Sequence, residues 1–372
     1  MKAADFLEHY KTTISTLIET VKRVQLAHNP LIPNSPSISR NFVVFLTVSI
    51  LIAIGPPQPQ TDAETVPGHR QTKKGQPERP PFNARRALDL IRKQLSFGSR
   101  TIGRPGHKSA KGFLERELRR YADYVTVQNF RWRDFDLTNY IGWICAEEVS
   151  AGGSPAAPPG SKEPCPGRTG NSPAILLSAH WDTHPYASRD PDRPRRRLPV
   201  PGANDGGSGT AILLELARTM RKARPPRNVL LALFDAEDYG LGDQWFIGSK
   251  HFARTWVQDG RKPRIDYGIL LDMVGDRDLN IYTEGFSARR APRVVEKILA
   301  AAKRVGAPSF YPEVKHYIRD DHIPLNNAGL PTADIIDFDY PAWHTSRDTL
   351  DKVSLQSLEE VARVLAEVIY GP

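Results

Sequence analysis

Val229–Phe234 is an unbroken apolar run that stops in three acids, Asp235, Glu237 and Asp238. Apolar throughout rather than alternating, it predicts a strand buried on both faces, as a mostly parallel sheet requires. The same pattern recurs. Residues 174–179 are apolar and end in His180-Trp181-Asp182; residues 267–271 end in Asp272; residues 333–336 are followed by Trp343-His344-Thr345. A glycine-rich loop, 202–209, sets Asp205 just ahead of an amphipathic helix predicted over 210–222. In open α/β sheets, ligands sit outside the carboxyl ends of the strands, which is where these acids and histidines fall.

Taken singly, each feature has a plain explanation. Asp205 alone reads as a helix cap, and Glu237-Asp238 alone as a solvated turn. If the two acids face one pocket they repel, unless a cation is near or one takes a proton. The recurrence changes the picture, because carboxylate oxygens and imidazole nitrogens are what a catalytic zinc binds. The glycine loop lacks a Gly-Lys-Ser/Thr signature, and its acid favours a cation over a phosphate.

Around this frame, the spacing predicts helices over 84–97, 108–121, 248–255, 291–305 and 354–370. Alternation over 125–130 predicts a half-buried strand, with 139–146 as its antiparallel partner. Loops are expected at 98–107, at 184–201 (rich in Arg, Pro and Asp) and at 317–325, which carries Arg319-Asp320-Asp321-His322. The first of these includes Arg104-Pro105-Gly106. Residues 150–172 read as a surface insertion of Gly, Pro and Ser.

Residues 42–54 are almost wholly apolar and end at Gly55-Pro56-Pro57. The stretch is short for a membrane span, which needs roughly 20 residues, but suits the core of a signal peptide. Either the start lies upstream of the real one or this is an N-terminal anchor. Both readings place the remainder outside the cytoplasm: periplasmic, secreted or membrane-anchored. Polar, proline-rich residues 58–81 read as a disordered linker. The expected organisation is therefore an N-terminal segment 1–57, a linker 58–81 and a catalytic domain 82–372.

Composition adds limits. The 372 residues accommodate one large α/β domain plus a tail. The net charge of +9 lies partly in local runs such as Arg195-Arg196-Arg197, without the interleaved aromatics of a nucleic-acid surface. No nucleic-acid partner is expected. Cys145 and Cys165 are the two cysteines, too few for a thiolate metal site; a disulfide between them and a pair of free thiols both remain open.

The ordered motifs His180-Trp181-Asp182, Gly202-Ala203-Asn204-Asp205, Asp235-Ala236-Glu237-Asp238, Leu271-Asp272-Met273 and Trp343-His344-Thr345 resemble the zinc aminopeptidase and glutaminyl cyclase superfamily. The segments Asp320-Asp321-His322-Ile323-Pro324 and 337–345 resemble its cyclase branch, the glutaminyl-peptide cyclotransferases. The resemblance implies a three-layer α/β/α sandwich with a mixed, mostly parallel central sheet. It implies Zn2+ held by Asp205, Asp238 and His344, and a second metal, where present, on His180 and Asp272 with Asp205 bridging. Asp238 stands where the family often has Glu, and Asp334 about where many animal cyclases have His.

The implied reaction converts an N-terminal glutamine of a peptide or protein to pyroglutamate with loss of ammonia. Glu237 would serve as general base then acid, helped by a carboxylate pair, Asp272 and Asp320. Trp343 and Trp245 would wall the substrate pocket; core burial is the plain alternative for both. A dinuclear aminopeptidase and an inactive binding ectodomain are the rival readings. The natural substrate and the oligomeric state are not legible.

Overall fold

The computed structural model describes residues 81–147, 165, 173–240, 242, 244–258 and 264–371. The apolar stretch 42–54, the linker and nearly all of the insertion lie outside the described residues. Among the described residues, no helix is long and apolar enough to cross a membrane.

The described part opens with helices α1 (Ala84–Leu95) and α2 (Pro105–Tyr121), then the antiparallel pair β1 (Tyr124–Trp132) and β2 (Phe135–Ile144). β3 (Ala174–His180), α3 (Gly207–Lys222), β4 (Val229–Phe234), α4 (Ile247–Gln258) and β5 (Ile265–Asp272) follow. β6 (Ile281–Thr283), α5 (Gly285–Arg290), α6 (Pro292–Val305) and β7 (Phe310–Val314) come next. α7 (His322–Asn327), β8 (Thr332–Ile336) and α8 (Leu355–Tyr370) complete it.

The main sheet has the order β1-β2-β4-β3-β5-β8. β4, β3, β5 and β8 are parallel, and β2 joins β4 antiparallel. The four parallel strands therefore share one carboxyl edge. Their residues alternate between two cores. Ile175, Leu177, Leu231, Leu233 and Leu271 pack with α1, α2, α3, α6 and α8. Leu176, Leu230, Ala232 and Phe234 pack with Phe252 and Trp256 of α4 and Leu325 of α7. Helices thus cover both faces, giving the three-layer sandwich expected from strands that are apolar at every position.

Three local expectations need correction. The loop predicted over 98–107 ends early, because α2 begins at Pro105. Proline fits the first helical position, where its missing N–H is one the helix cannot pair anyway. The loop predicted over 317–325 gives way to α7 at His322, and Pro324 is tolerated because it too lies in the first turn. Asp205 does not cap α3: Gly206 holds that place, with φ +74° and no capping side chain. β6, β7 and α5 have no counterpart among the predicted elements; each is too short for its period to register.

Cys145 and Cys165 form a disulfide, with Cα atoms 5.7 Å apart. It closes a loop of sequence separation 20 beside β2. In the loop-entropy account such a closure stabilises by roughly 3 kcal/mol. Replacing both cysteines by serine should lower the urea midpoint accordingly, and the slope should rise somewhat as the unfolded chain expands.

Candidate active site

The carboxyl edge gathers side chains that are far apart in sequence. β3 ends in His180, β5 ends in Asp272, and the turn after β4 delivers Glu237 and Asp238. The loop before α3 brings in Asp205, and the segment after β8 brings in His344. All six are at most 9% exposed. Four of the five non-glycine residues with positive φ among the described residues lie here: Ala236, Phe246, Met273 and His344. Such backbone is costly and persists where the surroundings hold it, most often at functional sites.

Two clusters share this floor. In the inner one, His180 Nε2 lies 3.2 Å from Asp205 Oδ1 and 3.1 Å from Asp272 Oδ1. In the outer one, His344 Nε2 lies 3.1 Å from Asp238 Oδ1 and 3.7 Å from Asp205 Oδ2. Asp205 thus stands between the two, one oxygen toward each histidine. His184 is a third member of the outer cluster; its donor atom, with those of Asp238 and His344, lies within 4.8 Å of the others.

This donor set fits a divalent metal. Zinc bonds to nitrogen and oxygen of about 2.1 Å at tetrahedral angles put ligand atoms about 3.4 Å apart, close to the separations seen. Asp205 Oδ2 and Asp238 Oδ2 are buried without a hydrogen-bond partner. An orphaned carboxylate oxygen is costly to bury unless a cation or proton meets it.

The electrostatics agree. Burial pushes the Asp238 carboxyl well above its ordinary range, and the facing charge of Asp205 adds to the shift. Burial does the same to Glu237, reinforced by Asp320 and Asp238. Burial disfavours the His180 cation, but contacts with Asp182, Asp205 and Asp272 outweigh it and hold its pKa well above the usual value. A metal bound there would compete with a proton for His180.

The remaining predicted residues divide. Glu237 is 8% exposed, and its backbone N–H is fixed by Asp182 Oδ1 at 3.0 Å. Asp320 is buried; one oxygen accepts from the Asp321 N–H, and the other has no partner. Its pKa is driven well up, first by burial and then by the charge of Asp272. Trp245 and Trp343 are both half-buried, lining the mouth of the cavity rather than the core. That cavity has a volume of about 400 Å3 and also borders Asp205, Glu237, Asp238 and Asp272. Asp235, the first acid after β4, turns away and accepts from His107 (2.7 Å) and the Thr138 N–H. Asp334 is buried, with an oxygen 3.7 Å from His322 Nδ1.

Other side chains hold the site, most of them outside any sequence motif. Asp182 also accepts from the Asp238 N–H, so one carboxylate fixes the turn carrying both acids. Asp348 accepts from the N–H groups of Asn204 and Asp205 and from the Tyr340 hydroxyl. Buried Arg100 donates to the carbonyls of Trp181 and Gly202, tying the His180 strand end to the Asp205 loop. The 184–201 loop is anchored too: Arg189 N–H donates to His344 O, and Asp190 accepts from Ser346. Beyond the His180-Trp181-Asp182 motif, a visible signal belongs to His184, in its spacing after His180 and Asp182. Asp348→Asn should weaken metal binding about 10- to 100-fold, the usual effect of losing a supporting hydrogen bond; a chelator competition measures it.

A helix-covered, mostly parallel sheet with His–carboxylate clusters at its carboxyl edge defines a zinc-exopeptidase-like α/β protein. The chain belongs to peptidase family M28, whose model matches residues 165–369. It is 26% identical over 205 residues to aminopeptidase YwaD of Bacillus subtilis (strain 168), a match covering 53% of this chain and 40% of that protein. It is 25% identical over 218 residues to a glutaminyl-peptide cyclotransferase of Drosophila melanogaster, covering 51% of this chain and 59% of the relative. The match therefore spans about half the length of these relatives. Among solved structures, it resembles the Bacteroides thetaiotaomicron glutaminyl cyclase bound to N-acetylhistamine. The TM-score is 0.69 with 31% identity, over 79% of this chain and 100% of that one.

Proposed function

We propose that this protein is a zinc-dependent glutaminyl-peptide cyclotransferase acting on the N-terminal glutamine of peptides or proteins. The observation that carries the reading is the buried Asp320 carboxyl beside Asp272 and Glu237 in a cavity walled by Trp245 and Trp343. Activating one water for hydrolysis asks for a single base. Moving a proton from an amine to a leaving amide nitrogen gives further carboxyls a task.

Asp205, Asp238 and His344 are the residues that would hold the metal. Bound there, a zinc ion would supply Lewis-acid polarisation of the γ-amide carbonyl. The substrate's own α-amine then attacks the carbonyl carbon of that amide, the side chain's δ-carbon. The ring C–N bond forms as the bond from the δ-carbon to the amide nitrogen breaks, and ammonia leaves. Glu237 takes a proton from the attacking amine and returns it to the leaving nitrogen. Its raised pKa suits both roles. Asp272 and Asp320 hold the amide nitrogen and share a proton between them. The tryptophans shield the reacting groups from water.

The aminopeptidase reading has its own support, since the inner cluster of His180, Asp205 and Asp272 offers a second three-donor set. A glutaminyl peptide separates the two. Release of ammonia with a blocked N-terminus supports cyclisation, whereas a freed amino acid means hydrolysis. Metal counted per polypeptide gives a second reading, with one ion expected for the cyclase. Failure to retain any metal would instead favour an inactive binding domain. We further place the protein outside the cytoplasm, which the Cys145–Cys165 disulfide supports.

A further inference from the structure

We propose that His184 is itself a metal-binding residue, giving the outer cluster two imidazoles and one carboxylate of its own. The inference rests on the reading that the outer cluster binds a divalent metal, and it adds His184 to Asp205, Asp238 and His344. With it, the outer cluster gains a donor from the 184–201 loop, outside the inner set (His180, Asp205, Asp272).

The tautomer of His184 is the first argument. Its Nδ1 lies 2.6 Å from the carbonyl oxygen of Tyr186 and 3.1 Å from the Tyr186 nitrogen. These contacts ask for opposite tautomers. A carbonyl oxygen has no proton to give, so an approach of 2.6 Å requires the hydrogen to be on Nδ1. The longer contact is then a near neighbour and not a hydrogen bond. Nε2 is left with its lone pair. Metal-binding histidines commonly donate their other N–H to a backbone carbonyl in this way.

Placement is the second argument. His184 is 5% exposed, and its ring stacks on that of His344 with centroids 4.1 Å apart. Both rings adjoin Asp238, whose Oδ2 is buried without a partner. One ligand atom from each of His184, Asp238 and His344 lies within 4.8 Å of the other two. The space at Nε2 is protected as well. Gly240 has φ +65°, and a Cβ there would sit 2.5 Å from His184 Nε2 and 2.7 Å from the Trp245 ring. A donor set of two imidazoles and a carboxylate suits zinc, cobalt(II) or nickel(II), and is a poor match for magnesium or calcium.

The test titrates metal-free protein with Zn2+ against a chelator and records the visible bands of the Co2+-loaded form. His184→Ala should weaken zinc binding more than about 100-fold, beyond the usual cost of a supporting residue, and should shift the cobalt bands. His184→Gly in excess imidazole should recover the bands, a rescue that a packing role would not produce. His184→Gln, which fills the space, is read identically should the smaller variants fold poorly. Unchanged affinity and bands in the His184 variants, with metal lost from His344→Ala, would overturn this proposal and leave the outer site standing. Undiminished zinc in both sets would remove the outer site altogether.

Discussion

Glu237→Gln should lower kcat on a glutaminyl peptide by about 10^2- to 10^4-fold, the usual contribution of a positioned general base, while zinc content stays at the wild-type level. The replacement keeps the shape of a side chain that is 8% exposed. It keeps the backbone hydrogen bond to Asp182 as well, since that bond uses the main-chain N–H. What it removes is the group that accepts and returns a proton. It also removes one of several acids that repel Asp320 and Asp238, so the metal-free variant should be at least as stable as the parent. Paired kcat and zinc measurements decide the matter. Loss of zinc would reassign Glu237 as a ligand, and near-normal kcat would move the proton transfer to another carboxyl.

Asp205→Ala should abolish stoichiometric zinc. The two oxygens of Asp205 point to different histidines, 3.2 Å from His180 and 3.7 Å from His344, so no neighbour replaces both contacts. The effect on the metal-free fold is a balance of two contributions. Asp205 Oδ2 is buried without a partner, and its charge raises the pKa of Asp238 and Asp348. Burial pushes the Asp205 carboxyl up, but contacts with His180, His344 and His184 outweigh it and hold it below its ordinary range, so the metal-free variant should melt below the metal-free parent. The parent should gain about 4 kcal/mol at a zinc concentration of about 1,000 times its Kd, and the variant nothing. Melting curves with and without Zn2+, together with metal counts, measure both halves. A variant that retains zinc would place the metal away from Asp205.

The sheet is the most legible part of the sequence. β3, β4 and β5 are buried on both faces over most of their length, so nearly every position there is apolar, and each strand ends where a charge begins. β1 and β2 are readable as a pair because β1 alternates. The clustering of Asp205, Glu237, Asp238, Asp272 and His344 follows from their common place at strand ends and loops. The tertiary direction of a side chain is not encoded locally. Asp235 looks no different from Glu237 in sequence, yet it serves His107 because the positive φ at Ala236 redirects the backbone after it. Asp348 acts through backbone N–H groups far upstream, a pairing without periodicity. His184 is set by a contact with the Tyr186 carbonyl that no residue pattern reveals. β6, β7 and the short helices are hidden by length, and the start of α2 by a proline that marks a helix start as readily as a loop.

The side chains at the carboxyl edge come from strand ends and loops spread from His180 to His344. Bringing them together requires the parallel strands to be paired and the intervening helices docked. An ion therefore finds no ready-made cage on the newly made polypeptide, unlike a zinc finger whose ligands lie close in sequence and whose folding the ion drives. Assembly has to finish on apolar burial alone, and loading is a later event. Which ion is taken up then depends on what the surrounding fluid offers to an already built receptacle.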